Sequence, residues 1–234
     1  MTTLLLASAS PARRTTLLAA GVAPFVRVSD VDEDAVLVAA RDRFGSLEPA
    51  DAVLLLAQAK AEAVTQLVEA EAEIAGTDSA PALIDGDVVV GCDSMLELDG
   101  EIYGKPTSPA EAVARWQAMR GRSGVLHTGH WIVDLRDAAD GGTGGTLGAS
   151  SATVVHFADV SDAEIEAYVA TGEPLSVAGA FTIDGLGGAF IDRIEGDHHS
   201  VVGLSLPLLR ELLGQIGVTW TDLWVPALSP VAAR

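Results

Sequence analysis

The sequence predicts an α/β fold, and three observations carry that prediction. Short apolar runs, Thr3–Ala7, Phe25–Val28 and Val88–Val90, have the length of buried strands. Helix starts with specific capping chemistry fall between and after them, at Ser10-Pro11, Ser108-Pro109-Ala110-Glu111 and Ser161-Asp162-Ala163-Glu164. Asp99-Gly100 is a strong hairpin signal between two further apolar runs. With 234 residues, 49% of them hydrophobic, the chain can build one large domain or two modest lobes.

The first strand, Thr3–Ala7, runs into Ser8, Ser10 and Pro11. Ser10 is the expected N-cap, Pro11 the first helical residue and Gly21 the stop. Arg13 and Arg14 lie in the first turn of this helix, where cations oppose the helix dipole. They are well placed only if an anion binds at the same helix end. Short Ser-Pro starts are also common in ordinary helices, so two readings stand here.

Phe25–Val28 leads to Ser29-Asp30-Val31-Asp32-Glu33-Asp34, read as an acidic turn that either supplies metal-binding oxygens or is a solvated loop. Residues 49–75 have the apolar stripe of a long helix, Leu54, Leu55, Ala61, Val64, Leu67 and Val68, with Lys60 inside it. Residues 76–86 read as a surface loop.

The centre of the chain is Val88–Pro106. Val88–Val90 is expected to end in a turn at Gly91-Cys92-Asp93-Ser94, leaving Asp93 at a strand end. Met95–Leu98 and Glu101–Tyr103 form the hairpin that delivers Lys105. An acid at the start and a cation at the end of one hairpin suit an activated water or a metal beside a phosphate.

Of 14 basic residues only Lys60 and Lys105 are lysines; the rest are arginines. In an Ala- and Gly-rich chain of this kind, a retained lysine suggests a need for a compact ammonium with three free donors. Chance retention is the plain alternative.

Pro109 to Arg120 reads as a helix and Gly124–Asp134 as a strand. His127 and His130, three apart on that strand, face opposite sides and make a poor metal pair. The Gly-rich stretch 138–151 lacks the strand-before, helix-after context of a phosphate loop and reads as a flexible connection to a strand at 152–158. A helix to Ala170 stops at Gly172-Glu173-Pro174. Glycines at 179, 185, 187 and 188 point to close backbone approach. A strand at Ile191–Ile194, a polar turn at 196–200 and a helix from Pro207 to Leu213 complete the order, with an irregular tail at 217–234.

A net charge of −19 opposes binding to nucleic acid or to an anionic membrane. It does not oppose a small anion, because a few gathered cations or a bound metal reverse the local field. One cysteine, Cys92, rules out an intrachain disulfide. The Leu4–Ala9 run has no basic leader and is too short for a signal peptide, so a cytoplasmic location is expected.

The motifs resemble those of the Maf family of nucleoside triphosphate pyrophosphatases, relatives of the inosine triphosphatase group. The matching stretches are residues 6–14, Val31-Asp32-Glu33, Ala57–Ala61, Val90–Ser94, Gly104-Lys105-Pro106, Gly172-Glu173-Pro174, Ala178–Phe181 and Val201–Pro207. They span nearly the whole chain in the family's order.

The resemblance implies a single domain over 1–234, with an elongated, two-lobed mixed sheet, flanking helices and a cleft between the lobes. It also implies hydrolysis of a nucleoside triphosphate to the monophosphate and pyrophosphate with a divalent metal, Mg or Mn. Asp93 would take the proton of the attacking water, and Glu33 and Asp93 would be the metal-side carboxylates. Ser8, Ser10, Arg13, Lys60 and Lys105 would surround the phosphates, with Arg14 nearby. Ala12, Ser94 and Asp184 depart from the Arg, Thr and Gln of the thymidine- and uridine-selective members. A strict pyrimidine preference is therefore not expected. The family also suggests a homodimer. Its association with septum formation offers a second role, a nucleotide-binding regulator of division in which catalysis is dispensable.

Overall fold

A seven-stranded mixed sheet frames the computed structural model, which describes residues 2–75 and 86–225. The strands are β1 (Leu4–Ala7), β2 (Phe25–Arg27), β3 (Val88–Leu98), β4 (Glu101–Tyr103), β5 (Ser123–Asp134), β6 (Thr146–Phe157) and β7 (Ile191–Glu195). Their order is β2-β1-β3-β5-β6-β7. β1 runs parallel to β2 and β3, and every other pairing is antiparallel.

The helices are α1 (Pro11–Ala19), α2 (Glu33–Phe44), α3 (Pro49–Ala75), α4 (Pro109–Met119), α5 (Asp162–Ala170), α6 (His198–Val202) and α7 (Leu206–Gln215). Their starts follow local rules. Ser10, Ser108, Ser161 and Ser205 each accept a backbone N–H of the first turn, and Ser161 and Glu164 complete a reciprocal capping box. The box expected at Ser108 is only half made: Glu111 reaches back to the N–H and hydroxyl of Thr107 instead. Asp99 and Gly100, at φ 57° and 81°, make the predicted hairpin turn.

Four expectations are corrected. Gly91–Ser94 is not a turn; it is the middle of one continuous eleven-residue strand, β3. Its glycine answers to α3, which crosses so closely that a Cβ at Gly91 would lie 2.1 Å from the Ala57 carbonyl oxygen. The acidic stretch 29–34 is a helix start, with Asp32 capping α2 through the Ala35 N–H. β6 begins at Thr146, well inside the expected flexible connection, because Gly148 lets the Trp131 ring lie against the strand. The polar turn at 196–200 also winds into α6, capped by Asp197. The loop expected at 76–86 lies outside the described residues except for Gly86, as does the tail beyond Val225.

α3 covers one face of the sheet. Ala61 and Val64 pack on Leu5, Ala7 and Val89, while Val53 and Leu56 pack with Met95. The other face carries two separate cores. One gathers Leu4, Leu6, Val90 and Ile132 under α1 and α7 through Leu17, Leu209 and Leu213. The second gathers Leu96, Leu126 and Val155 under α4 and α5 through Trp116 and Ile165. Between them, directly cross-strand, runs a polar row of Ser94, Thr128 and Ser151. The two cores thus share one sheet and part along this row. Among the described residues no helix is long and apolar enough to cross a membrane.

Candidate active site

The site follows from a gap in the sheet. One edge of β3 is covered by β5 almost throughout. The opposite edge pairs with β1 only along Val88–Gly91 and with β4 only along Leu96–Leu98. Cys92 to Met95 are left between them. β1 ends level with Gly91 and continues into Ser8, while β4 ends level with Leu96 and continues into Lys105. The register therefore places the serine-rich turn and the Gly104-Lys105-Pro106 turn on either side of Asp93.

Neighbouring strand residues point to opposite faces, and the gap makes both usable. On the α3 face Asp93 is buried, and its Oδ1 accepts from Lys60 Nζ at 2.5 Å. Lys60 Nζ also pairs with Glu33 Oε1 at 2.7 Å, the first residue of α2. Burial pushes the Asp93 carboxyl above the ordinary carboxylate range, and this outweighs the opposing pull of Lys60 and Arg13. Burial likewise pushes the neighbouring Cys92 thiol up to about 11, so it stays protonated and inert.

On the other face the buried Arg13 guanidinium donates in three directions. Nε reaches the Gly203 carbonyl at 2.7 Å, one terminal nitrogen the Ser8 hydroxyl at 3.0 Å and the other the Ser94 hydroxyl at 3.2 Å. Ser94 also shares a hydrogen bond with Thr128, which donates to the Ser200 carbonyl. Ser10 accepts from the Arg13 N–H, and its own N–H donates to Ser8. Arg14, one residue on, is exposed. Ser94 is thus tied into the fixing of Arg13, a partnership that residue type and position alone do not reveal.

Lys105 is exposed and makes no ion pair among the described residues. Its turn is held from behind. The Gly104 carbonyl accepts from buried Arg115 at 2.6 Å and from the Gly179 N–H at 3.0 Å. Arg115 and Gly203 are the supporting residues that sequence reading missed, because their contacts lie 11 and 190 residues away along the chain. Ala12 is half-buried and Asp184 exposed. Asp184 lines a groove with Thr15 and Thr16 of α1 and His198 and His199 of α6. The two strand histidines face apart as expected: His127 meets Glu97, and buried His130 accepts the Ser205 N–H.

Glu33 and Asp93 are the carboxylates of this site that could hold a divalent cation. The Glu33 and Asp93 oxygens both reach one ammonium, so they lie no further apart than the two contacts allow, and hard cations take carboxylate oxygens of this kind.

The family model described as Maf-like protein matches residues 3–216. The chain belongs to the Maf-like family. Among curated relatives, a protein named nucleoside triphosphate pyrophosphatase from Salinispora tropica is 54% identical over 221 residues, covering 94% of this chain and 87% of its own length. Its namesake from Nocardia farcinica is 54% identical over 226 residues, covering 95% and 96%. A third of that name, from Streptomyces coelicolor, is 49% identical over 224 residues, covering 96% and 95%. The Maf match includes both turns that flank the gap in β3.

Proposed function

We infer that the chain is a nucleoside triphosphate pyrophosphatase, a hydrolase that cuts a nucleoside triphosphate into the monophosphate and pyrophosphate. The observation that carries the reading is the buried Asp93 carboxylate at the open edge of β3, bonded to Lys60 and flanked by the serine-rich turn that leads into α1 and by the turn that carries Lys105. Relatives named for this activity at about half identity support it.

Arg13, Ser8 and Ser10 would receive phosphate oxygens at the N-terminus of α1, and Lys105 would meet them from the β4 side. Such a cradle stabilises the charge that builds during phosphoryl transfer. Asp93 takes a proton from water as the water oxygen bonds to the α-phosphorus. The bond from that phosphorus to the bridging oxygen breaks, and pyrophosphate leaves. A carboxyl held above its ordinary range is a stronger base than an exposed one. Lys60 limits that rise and presents positive charge to the incoming anion.

Glu33 and Asp93 would hold a magnesium or manganese ion, which when bound supplies further charge neutralisation and a more acidic water. Asp184 accepts hydrogen bonds only, whereas a glutamine also donates. Bases that offer amino donors should therefore be favoured, and dTTP and UTP should not be the preferred substrates.

The test is pyrophosphate release from a panel of nucleoside triphosphates with magnesium or manganese, comparing wild type with Asp93→Asn. Release by the wild type that largely disappears in the variant supports the reading. Triphosphate binding without turnover on any substrate would sink it.

A further inference from the structure

The residues that could select the base do not include Glu173, yet Glu173 organises the loop that carries one of them. Its carboxylate accepts four hydrogen bonds. Oε1 takes the Thr182 hydroxyl at 2.6 Å, the Tyr168 hydroxyl at 2.9 Å and the Gly187 N–H at 3.0 Å; Oε2 takes the Leu186 N–H at 3.0 Å. Three of the four donors belong to residues 182–187, the loop that holds Asp184 at its exposed tip. The fourth is anchored in the aromatic core, where Tyr168 meets Trp116 and Phe190 edge to face.

The glycines of the loop fit this arrangement. A Cβ at Gly185 would lie 2.6 Å from Glu173 Oε2, and one at Gly187 would lie 2.4 Å from the Tyr168 hydroxyl. Side chains at either position would push the loop off the carboxylate. Burial alone would raise the Glu173 carboxyl, but the converging donors outweigh it and hold the group below the ordinary range. An anion with both oxygens occupied is a rigid post for the loop.

The far side of the loop faces the other lobe. Asp184 shares its groove with Thr15 and Thr16, on the helix whose N-terminal turn holds Arg13. Loop 182–187 therefore reaches from the aromatic core toward the phosphate-side helix, and its anchor decides where Asp184 stands relative to a nucleotide held there.

We propose that Glu173 is a positioning residue for base selection: it clamps loop 182–187 so that Asp184 is presented as a fixed acceptor in the groove it shares with α1 and α6. This rests on the pyrophosphatase reading and deepens it. Glu173 itself touches no reacting atom. Loosening the clamp should blur discrimination between bases more than it slows the phosphate chemistry.

The experiment compares wild type, Glu173→Gln, Glu173→Ala and Asp184→Asn on GTP, CTP, UTP and dTTP, with melting temperature and amide exchange at Leu186 and Gly187 as independent readouts. For Glu173→Ala the two amides should lose protection. The preference in kcat/KM for GTP and CTP, whose amino donors Asp184 can accept, over UTP and dTTP should shrink about tenfold or more, the scale of one lost charge-assisted bond, through KM more than kcat. Glu173→Gln keeps one acceptor oxygen and should fall between. Asp184→Asn should change the same ratio without exposing the amides.

Loss of amide protection with an unchanged ratio, or an equal fall on every base, would overturn the proposal, as would amides that stay protected in Glu173→Ala. A wild type that releases no pyrophosphate from any base would instead defeat the underlying reading, and the exchange data would still say whether the clamp exists.

Discussion

Gly91→Ala tests whether the sheet and α3 together set the geometry of the site. The added Cβ would lie 2.1 Å from the Ala57 carbonyl oxygen, 2.9 Å from the Ala61 nitrogen and 3.0 Å from the Ala61 Cβ. Ordinary contact begins near 3.4 Å, so α3 must withdraw locally by about 1.3 Å. Overpacking of this kind costs about 1–3 kcal/mol. At about 3 °C per kcal/mol for a chain of this size, the melting temperature should fall by about 3–9 °C. Lys60 lies three residues beyond Ala57 on the same helix, and its Nζ must reach Asp93 at 2.5 Å. A misplacement of about 1 Å can cost about 100-fold in rate. We therefore expect kcat for pyrophosphate release to fall about 10- to 100-fold at a temperature where the variant is fully folded. Gly129→Ala is the control, since its Cβ would meet the Val53 carbonyl oxygen at 2.3 Å, two turns before Lys60. It should destabilise similarly and slow the reaction less. Gly214→Ala, in α7 with nothing within 4 Å of the new Cβ, should leave the rate unchanged and stabilise by up to about 1 kcal/mol. A Gly91→Ala protein with wild-type melting and wild-type turnover would refute the claimed dependence on close crossing.

Asp93→Asn should lower turnover by at least about 100-fold, the scale of a lost general base. Because the Asp93 carboxyl is raised on folding, its stabilising contribution is present at pH below the ordinary carboxylate range and is lost as pH climbs through the raised value. At neutral pH the variant should therefore melt no lower than wild type, with Glu33 still pairing Lys60; a drop of several degrees would mean the Asp93–Lys60 pair is a structural staple. Arg13→Lys cannot serve Gly203, Ser8 and Ser94 together, so kcat/KM should drop about 10- to 100-fold, and steady-state kinetics at wild-type level would count against the phosphate role. Asp134 works in the opposite sense. Burial raises its carboxyl, but Arg136 and Thr143 overcome this and hold it well below the ordinary range. Its contribution is present above the ordinary carboxylate pKa and disappears as pH falls through the lowered value. Asp134→Asn should cost about 1.5–3 kcal/mol at pH 7, and urea titrations should show the gap to wild type closing as the solution is made strongly acidic.

What the sequence revealed was whatever neighbours along the chain determine. Ser10-Pro11, Ser161 with Glu164 and Asp99-Gly100 announce helix starts and a hairpin because the groups that satisfy them lie within four residues. Lys60 and Lys105 stood out by composition, and the fold brings them to the same gap by different routes, one on a helix and one on a hairpin turn. The readings that failed were those whose cause is distant. Gly91-Cys92-Asp93-Ser94 has the small residues of a turn, yet the glycine is there for Ala57, 34 positions earlier. Gly148 looked like flexible connection because nothing local points to the Trp131 ring. The start of α2 was legible and was masked by its own charges: Asp32 as cap followed by Glu33 and Asp34 is a favourable first turn, but four acids in five residues also describe a solvated loop.

The gap in β3 explains a feature that no single motif does. Asp93 and Ser94 are consecutive, so in an intact sheet their side chains would serve separate compartments. Asp93 belongs with Lys60 and Glu33 on the α3 face, and Ser94 with Arg13 on the face shared by α1 and α6. Only where β1 has ended and β4 has not begun are both left at an open edge of the strand. That requirement fixes the lengths of the flanking strands. If β1 ran two residues further it would pair with Cys92 and Asp93, and the serine-rich turn would close over the acid. If β4 ran two residues further Lys105 would be drawn into the ladder opposite Ser94. Pro106 and the hold of Arg115 and Gly179 on the Gly104 carbonyl stop it. The short strands are thus as much a part of the site as the charged side chains they deliver.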